Sequence, residues 1–245
     1  MMSFSAAIRM AAIGAVALGL SACATNSPEN AALGINDPYE NSVNRSIHSF
    51  NKGFDRYALR PVSQGYDAVT PGLFRLLISN ALNHLEAPRD FANHILTAEF
   101  ESAGRTLLRF AVNTTVGAGG LLDPATDFEL EKEDADFGKT LAVWGAGEGV
   151  YYEIPFLGPS TVRHTAGRVV DLALAPTSYL GEPLIAGGVA AVAAVEARDD
   201  NLGAIDSVLY DSPDSYIAVR SFYLDARRAF VTNGESQNLD DLEDF

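Results

Sequence analysis

The sequence predicts a mainly α-helical protein, and three observations carry that reading. Apolar residues recur at helical spacing, most clearly at Val43, Ile47, Phe50, Phe54 and Tyr57, which make one face. Proline and cap residues punctuate the chain at Asp37-Pro38, Arg60-Pro61, Thr70-Pro71, Ala87-Pro88 and Ser212-Pro213-Asp214. No long alternating run of apolar and polar residues reads as a strand before residue 140.

The elements follow in order. Asp37 serves as an N-cap, Pro38 fits the first helical position, and Glu40 completes a capping box, so a helix opens here and ends at Arg60-Pro61. A second segment over 62–69 stops at Thr70-Pro71. Pro71 opens a third, with Leu73, Leu76, Leu77, Leu82 and Leu85, which Glu86-Ala87-Pro88 breaks. From Arg89, Phe91, Ile95, Phe100, Leu107, Leu108 and Phe110 keep helical spacing in two pieces, divided around 97–102.

Residues 109–123, RFAVNTTVGAGGLLD, follow. Asn113, Thr114 and Thr115 supply hydrogen-bonding groups. Gly117, Gly119 and Gly120 remove side chains where the backbone must bend or pack closely. The stretch reads as a glycine-rich loop between helices or, more sharply, as a partly polar lining within an apolar protein. Residues 123–139 read as an exposed acidic excursion.

Trp144, Tyr151, Tyr152 and Phe156 then surround Gly145, Gly147, Gly149 and Gly158, as a mobile hairpin or loop would, with a short strand at 150–154. Ser160 caps a helix carrying Val162, Val169, Val170 and Leu172. Residues 184–195 are small and apolar. They fall short of the about 20 residues a bilayer span needs and read as a core helix or, alternatively, an interfacial one. Ser212-Pro213-Asp214 caps a last helix with Tyr216, Val219, Phe222, Tyr223 and Phe230 on its buried side and Arg227-Arg228 at its C-terminal end.

Composition excludes several function classes. A formal net charge of -15 in 245 residues leaves nothing to neutralise a nucleic acid, so no nucleic-acid partner is expected. Gly138-Lys139-Thr140 lacks the glycine a phosphate loop requires, since Glu133 stands there. His48, His84, His94 and His164 are scattered, without metal-ligand spacing, and read as surface or hydrogen-bonded residues. No serine lies in a nucleophile elbow, and no residues are assigned as catalytic or metal-binding; no cofactor is expected.

The N-terminus decides the compartment. Residues 10–20 form an apolar and glycine run of signal-peptide length, followed by Leu20-Ser21-Ala22-Cys23. This is a bacterial lipoprotein box, and Cys23 is the chain's one cysteine. Residues 1–22 read as the signal peptide, Cys23 as the lipid anchor, 23–36 as a tether, 37–233 as the folded domain and 234–245 as an acidic, disordered tail. Ala24 in place of aspartate favours the outer membrane.

Asn36-Asp37-Pro38-Tyr39-Glu40, Asn44-Arg45, Phe50-Asn51 and Arg60-Pro61-Val62 resemble the start of the MlaA (VacJ) phospholipid-transport lipoproteins. The resemblance continues through Asn113-Thr114-Thr115-Val116-Gly117, Gly119-Gly120-Leu121-Leu122-Asp123, Trp144-Gly145 and Pro155-Phe156-Leu157-Gly158-Pro159-Ser160, covering about residues 36–230. It implies a ring-shaped helical lipoprotein with a central amphipathic channel, embedded in the periplasmic leaflet of the outer membrane. Its implied partners are phospholipids, a trimeric outer-membrane porin and a periplasmic lipid-carrier protein. Its implied role is removal of phospholipids mislocalised to the outer leaflet. Channel or gate candidates are then Phe50, Asn51, Asn113, Thr114, Thr115, Gly117, Gly119, Gly120, Gly145, Gly147 and Gly149. The alternative reading is an envelope scaffold that moves no lipid; a lipid hydrolase comes third, since no nucleophile-base pair is visible.

Overall fold

The structure, a computed structural model, describes residues 26–179 and 183–232. Cys23, the signal peptide and the acidic tail lie outside them. The described chain is mainly helical with one two-stranded hairpin, as the sequence predicts.

A short helix α1 (Pro28–Ala32) comes first, capped by the Ser27 side chain. Residues 26–36 are therefore packed on the body rather than forming a tether. Asn26 donates to the Ile35 carbonyl (2.7 Å) and accepts from the Asp37 amide (3.0 Å), while Ile35 joins Tyr151, Tyr216 and Leu224 in the small hydrophobic core.

The capping box at 37–40 is not formed. Tyr39 occupies the cap position of a π-turn (Glu40–Asn44) and makes no side-chain cap bond. Asp37 is buried instead, accepting from Asn44 (2.8 Å), Arg220 (2.7 Å) and Tyr216, while Glu40 takes Arg45, Arg220 and Asn30. A buried carboxylate is tolerable only with such donors, and here tertiary partners outcompete the local cap.

Helix α2 (Arg45–Phe54) runs through a second π-turn (Asp55–Leu59) into α3 (Arg60–Val69). The helix thus continues through Arg60-Pro61. Pro61 has no N–H to give, and the preceding turn widens so that the Arg60 amide reaches back to Asp55. Helix α4 (Gly72–Leu96) likewise contains Pro88 rather than breaking there. The lost backbone bond is offset by side chains beyond it. Asn93 donates to Asp171 (3.0 Å) and accepts from Thr140 (2.9 Å), which fixes the second half of α4 in place.

Helix α5 (Phe100–Thr115) packs antiparallel on α4 across the short 97–99 connection. Helices α6 (Pro124–Asp127) and α7 (Phe137–Val143) follow. Residues 123–139 are not a wholly exposed excursion: Ala125, Ala135 and Lys139 are buried, and Asp136 caps α7 while pairing with Arg227 (2.5 Å). Strands β1 (Tyr151–Ile154) and β2 (Gly158–Thr161) pair antiparallel, Tyr151 opposite Thr161 and Ile154 opposite Gly158. Thr161, not Ser160, caps α8 (Val162–Leu174). Helices α9 (Pro183–Asp200), α10 (Leu202–Asp206), a third π-turn (Ser207–Asp211) and α11 (Ser215–Val231) complete the fold, and within the expected Ser212-Pro213-Asp214 cap it is Asp214 that caps α11.

Polarity is inverted relative to a water-soluble domain. Among the described residues, buried polar and charged side chains outnumber buried hydrophobic ones. Arg198 joins Asp55 and Asp206, Arg60 joins Asp206, Arg220 joins Asp37 and Glu40, and Lys139 joins Glu99. Large apolar residues face outward, including Val69, Leu73, Phe74, Phe100, Leu107 and Leu108. Leu184, Ile185 and Val192 are exposed too, so α9 is not the core helix of the first reading, and its outer surface fits the interfacial alternative. Phe222, expected buried, is also exposed. No helix of the described residues is long and apolar enough to cross a membrane.

Candidate functional site

The helical periodicity of α2 decides what the hairpin meets. Phe50 and Phe54 stand one turn apart on one side, and Phe156 at the hairpin tip packs edge-on to both rings, with centroids at 5.0 and 5.1 Å. Phe156 sits at φ +67°, a left-handed conformation costly for a side chain this large. Asn51 fastens the turn from the same helix. Its Nδ2 donates to the Ile154 carbonyl (3.0 Å) and to Glu153 Oε2 (3.2 Å), and its Oδ1 accepts the Phe156 amide (2.8 Å).

Glu153 is the buried end of a polar chain. Its Oε1 receives His48 Nδ1 (2.9 Å) and Tyr151 Oη (3.4 Å), and its own amide donates to Asn44 Oδ1 (3.1 Å). His48 Nε2 meets Ser215 Oγ (3.0 Å), which accepts from Lys52 Nζ (3.0 Å). With Nδ1 protonated toward Glu153, Nε2 accepts the Ser215 hydroxyl proton, and the ring nitrogens of His48 and the hydroxyl of Ser215 are all satisfied.

Next to this chain lies a cavity of about 500 Å³. His48, Asn51, Lys52 and Glu153 make its polar wall, and the hairpin contributes Gly158 and Pro159. Its apolar lining comes from Ile205, Val208 and Leu209 and from Val219 and Phe222 of α11. A cavity lined by both polar and aliphatic groups suits an amphiphile.

The other candidate residues lie elsewhere. Asn113 is buried at the foot of α5, donating to Asp123 (2.7 Å) and accepting the Ala125 amide (3.1 Å). Burial pushes the Asp123 carboxyl up, but donors from Thr126, Asn113 and Arg109 hold it below the usual carboxylate range. Thr114 and Thr115 return their hydroxyls to helix carbonyls of Phe110 and Ala111. Gly117 leaves no room for a Cβ, which would meet the Leu122 carbonyl at 2.4 Å, and at Gly120, φ +90°, it would meet the His84 ring at 2.2 Å. Gly119 takes φ +75° in open space. The hollow beside Asn113 measures only about 30 Å³, room for a water rather than a lipid. The Asn-Thr-Thr-Gly stretch builds a corner here.

Gly145, Gly147 and Gly149 precede the hairpin instead of lying within it. Gly145, φ +90°, terminates α7: its amide reaches Ala142 and the next amide reaches Leu141, the paired bonds of a Schellman stop. Gly149 at φ +79° lies against Val162, while Gly147 has open space. Arg163 donates to the Ala146 carbonyl (3.0 Å) and Arg228 pairs with Glu148 (3.0 Å), so the segment is pinned at its middle. All four histidines are hydrogen-bonded, His84 to Thr114 (3.2 Å), His94 to Glu99 (2.9 Å) and His164 to Tyr223 (2.6 Å) besides His48. Sequence reasoning selected Phe50 and Asn51 but not Lys52 or Glu153. The available signal for Lys52 was a lysine one turn before Arg56 in a strongly acidic chain.

Comparison with known proteins accords with this geometry. Residues 35–230 match the family model described as MlaA lipoprotein. The chain is 32% identical over 250 residues to the intermembrane phospholipid transport system lipoprotein MlaA of Escherichia coli, covering 95% of this chain and 97% of that protein. It is 31% identical over 226 residues to the Haemophilus influenzae protein of the same description, 89% and 88% of the two chains. An uncharacterized protein of Rickettsia felis is 33% identical over 209 residues, 85% of this chain and 83% of its own. A solved structure described as the structural basis for maintenance of bacterial outer membrane lipid asymmetry superposes with a TM-score of 0.72 at 33% identity, over 80% of this chain and 98% of that one. The fold, its outward apolar surface and these matches lead to one conclusion: the chain belongs to the MlaA lipoprotein family.

Proposed function

We propose that this protein removes phospholipids mislocalised to the outer leaflet of the outer membrane and passes them to a periplasmic carrier, maintaining lipid asymmetry. The observation that carries the reading is the cavity lined by both polar and aliphatic groups, inside a body whose apolar side chains face outward. A headgroup cannot cross an apolar slab unaided, because moving isolated charge into low dielectric is very costly. A protein seated in lipid with a polar-walled hollow supplies that path, and no energy source is needed for movement down a gradient.

The outward apolar residues, with no spanning helix among those described, favour residence in one leaflet. We place the chain in the periplasmic leaflet, anchored through Cys23, as a ring beside a trimeric porin. The amphipathic cavity is the described part of its channel. The test is a clean deletion. Outer-leaflet phospholipid should rise and be restored by the wild-type chain, whereas a Cys23→Ser chain should take up no labelled fatty acid and fail to restore it. A scaffold would leave outer-leaflet phospholipid unchanged on deletion and would purify without bound lipid.

A further inference from the structure

The polar wall of the cavity carries an ammonium group with spare donors. Lys52 pairs with no carboxylate among the described residues, in a chain of net charge -15. The other lysines are committed: Lys132 holds Glu86 and Asp134, and Lys139 holds Glu99. An ammonium has three donors, and Lys52 spends one on Ser215 Oγ at 3.0 Å. Ser215 is itself occupied by His48, so it holds the ammonium in place without neutralising it.

The surroundings add positive charge. Lys52 Nζ lies 5.6 Å from the Tyr210 ring centroid, and Arg56 Cζ lies over the same ring at 5.0 Å. Arg56 also lacks a carboxylate partner among the described residues, because Asp55 beside it is taken by Arg198 and by the Tyr210 hydroxyl. Glu153 shares the wall, yet its oxygens are filled by donors from His48, Asn51 and Tyr151. The same hollow is lined by Val208, Leu209, Val219 and Phe222, which offer hydrocarbon. An anion joined to aliphatic chains satisfies both kinds of lining; a free anion satisfies only one.

We infer that Lys52 is the phosphodiester-docking residue of the lipid path, holding a glycerophospholipid by its phosphate while its acyl chains lie on the α11 wall. This rests on the lipid-transport reading above, and it assigns one residue and one chemical group to that path. Recognition then depends on the phosphate common to all glycerophospholipids, so headgroup variation is tolerated and lipids lacking phosphate are not retained.

The test uses the full chain in detergent micelles, as wild type, Lys52→Met and Lys52→Arg. Native mass spectrometry measures binding of phosphatidylglycerol, phosphatidylethanolamine and diacylglycerol. Lys52→Met keeps the aliphatic stem and removes the charge. It should lose about tenfold in affinity for both phospholipids, leave diacylglycerol unchanged, and be rescued in large part by Lys52→Arg. Equal loss for diacylglycerol would mean a merely structural residue, and unchanged phospholipid binding would remove Lys52 from the path; either overturns the inference. Inorganic phosphate displacing phosphatidylglycerol at equal concentration would mark a free-phosphate site and overturn it as well. Complementation of the deletion separates this from the function itself. Failure of wild type to clear lipid defeats the transport reading, whereas wild-type clearance by Lys52→Met defeats only the docking assignment.

Discussion

Replacing Asn51 by alanine should release the hairpin tip while leaving the helical body folded. The magnitude follows from three bonds. The one to the Ile154 carbonyl is a neutral, part-buried bond worth about 1 kcal/mol net. The Phe156 amide is exposed and water can replace its acceptor, so that bond contributes about 0.5 kcal/mol. The third serves the Glu153 carboxylate, and losing a donor to a buried charge costs about 1.5 kcal/mol. Together the docked tip loses about 3 kcal/mol, a hundredfold rise in its opening equilibrium at about 1.4 kcal/mol per decade. Release also relieves the left-handed Phe156 conformation, which pushes the same way. Hydrogen exchange of the 151–161 amides in micelles reads this directly, against reporters in α4 that should not move. Exchange in the hairpin within threefold of wild type would refute the reasoning. Because the hairpin lines the cavity, lipid clearance should change along with it.

Further outcomes follow from other positions. Gly120→Ala combines a left-handed backbone with a clash against the His84 ring and should cost about 2–4 kcal/mol by thermal unfolding, whereas Gly119→Ala, in open space, should cost about 1 kcal/mol; equal losses would contradict this. Proline at Gly145 cannot adopt φ +90° and should lower abundance, while Gly147→Pro should accumulate normally; a stable Gly147→Pro protein that clears lipid as wild type does would reject a gating role for that segment. Burial, with Arg168 and Arg227 nearby, depresses His164 from its usual range to about 4, so the folded state resists a proton the unfolded chain accepts near pH 6.5. Its contribution is present above about pH 6.5 and is lost as pH falls toward 4, and His164→Gln should flatten that loss. Asp90, pushed up to about 6 by burial, acts oppositely: the folded state takes its proton first, stability is gained as pH falls from about 6 toward 3.8, and Asp90→Asn should steepen the net acid loss in the same unfolding series.

How much could be read before the structure varies with what each signal depends on. Helix type followed from local spacing, and the cap within Ser212-Pro213-Asp214 was legible because the partners of Asp214 are the amides two and three residues on. Pro61 and Pro88 misled because a helix can be carried past a proline by distant contacts, such as Asn93 to Asp171, that have no local trace. The Asp37 and Glu40 pattern failed for the same reason, with Arg220 far along the chain claiming both carboxylates. Burial was misjudged at Phe222 and along α9, because periodicity finds an apolar face without saying whether protein or lipid will cover it. At the site, Phe50 and Asn51 were named through family resemblance, while Lys52 and Glu153 needed the cavity to give them meaning.

The outward apolar surface has a consequence for how this protein reaches its destination. In an ordinary domain, withdrawing hydrocarbon from water is the main drive to fold, and it is complete once the chain is compact. Here compaction satisfies the ion pairs of the interior but leaves Leu73, Phe74, Phe100, Leu107 and Leu108 still facing outward. If the chain is delivered to a membrane as proposed, the folded form is least at ease in the aqueous space on the way and gains its remaining stability on arrival. Transit without a cover would then expose it to self-association, and delivery and folding would be coupled: the bilayer, not the polypeptide alone, would supply the last layer of the core.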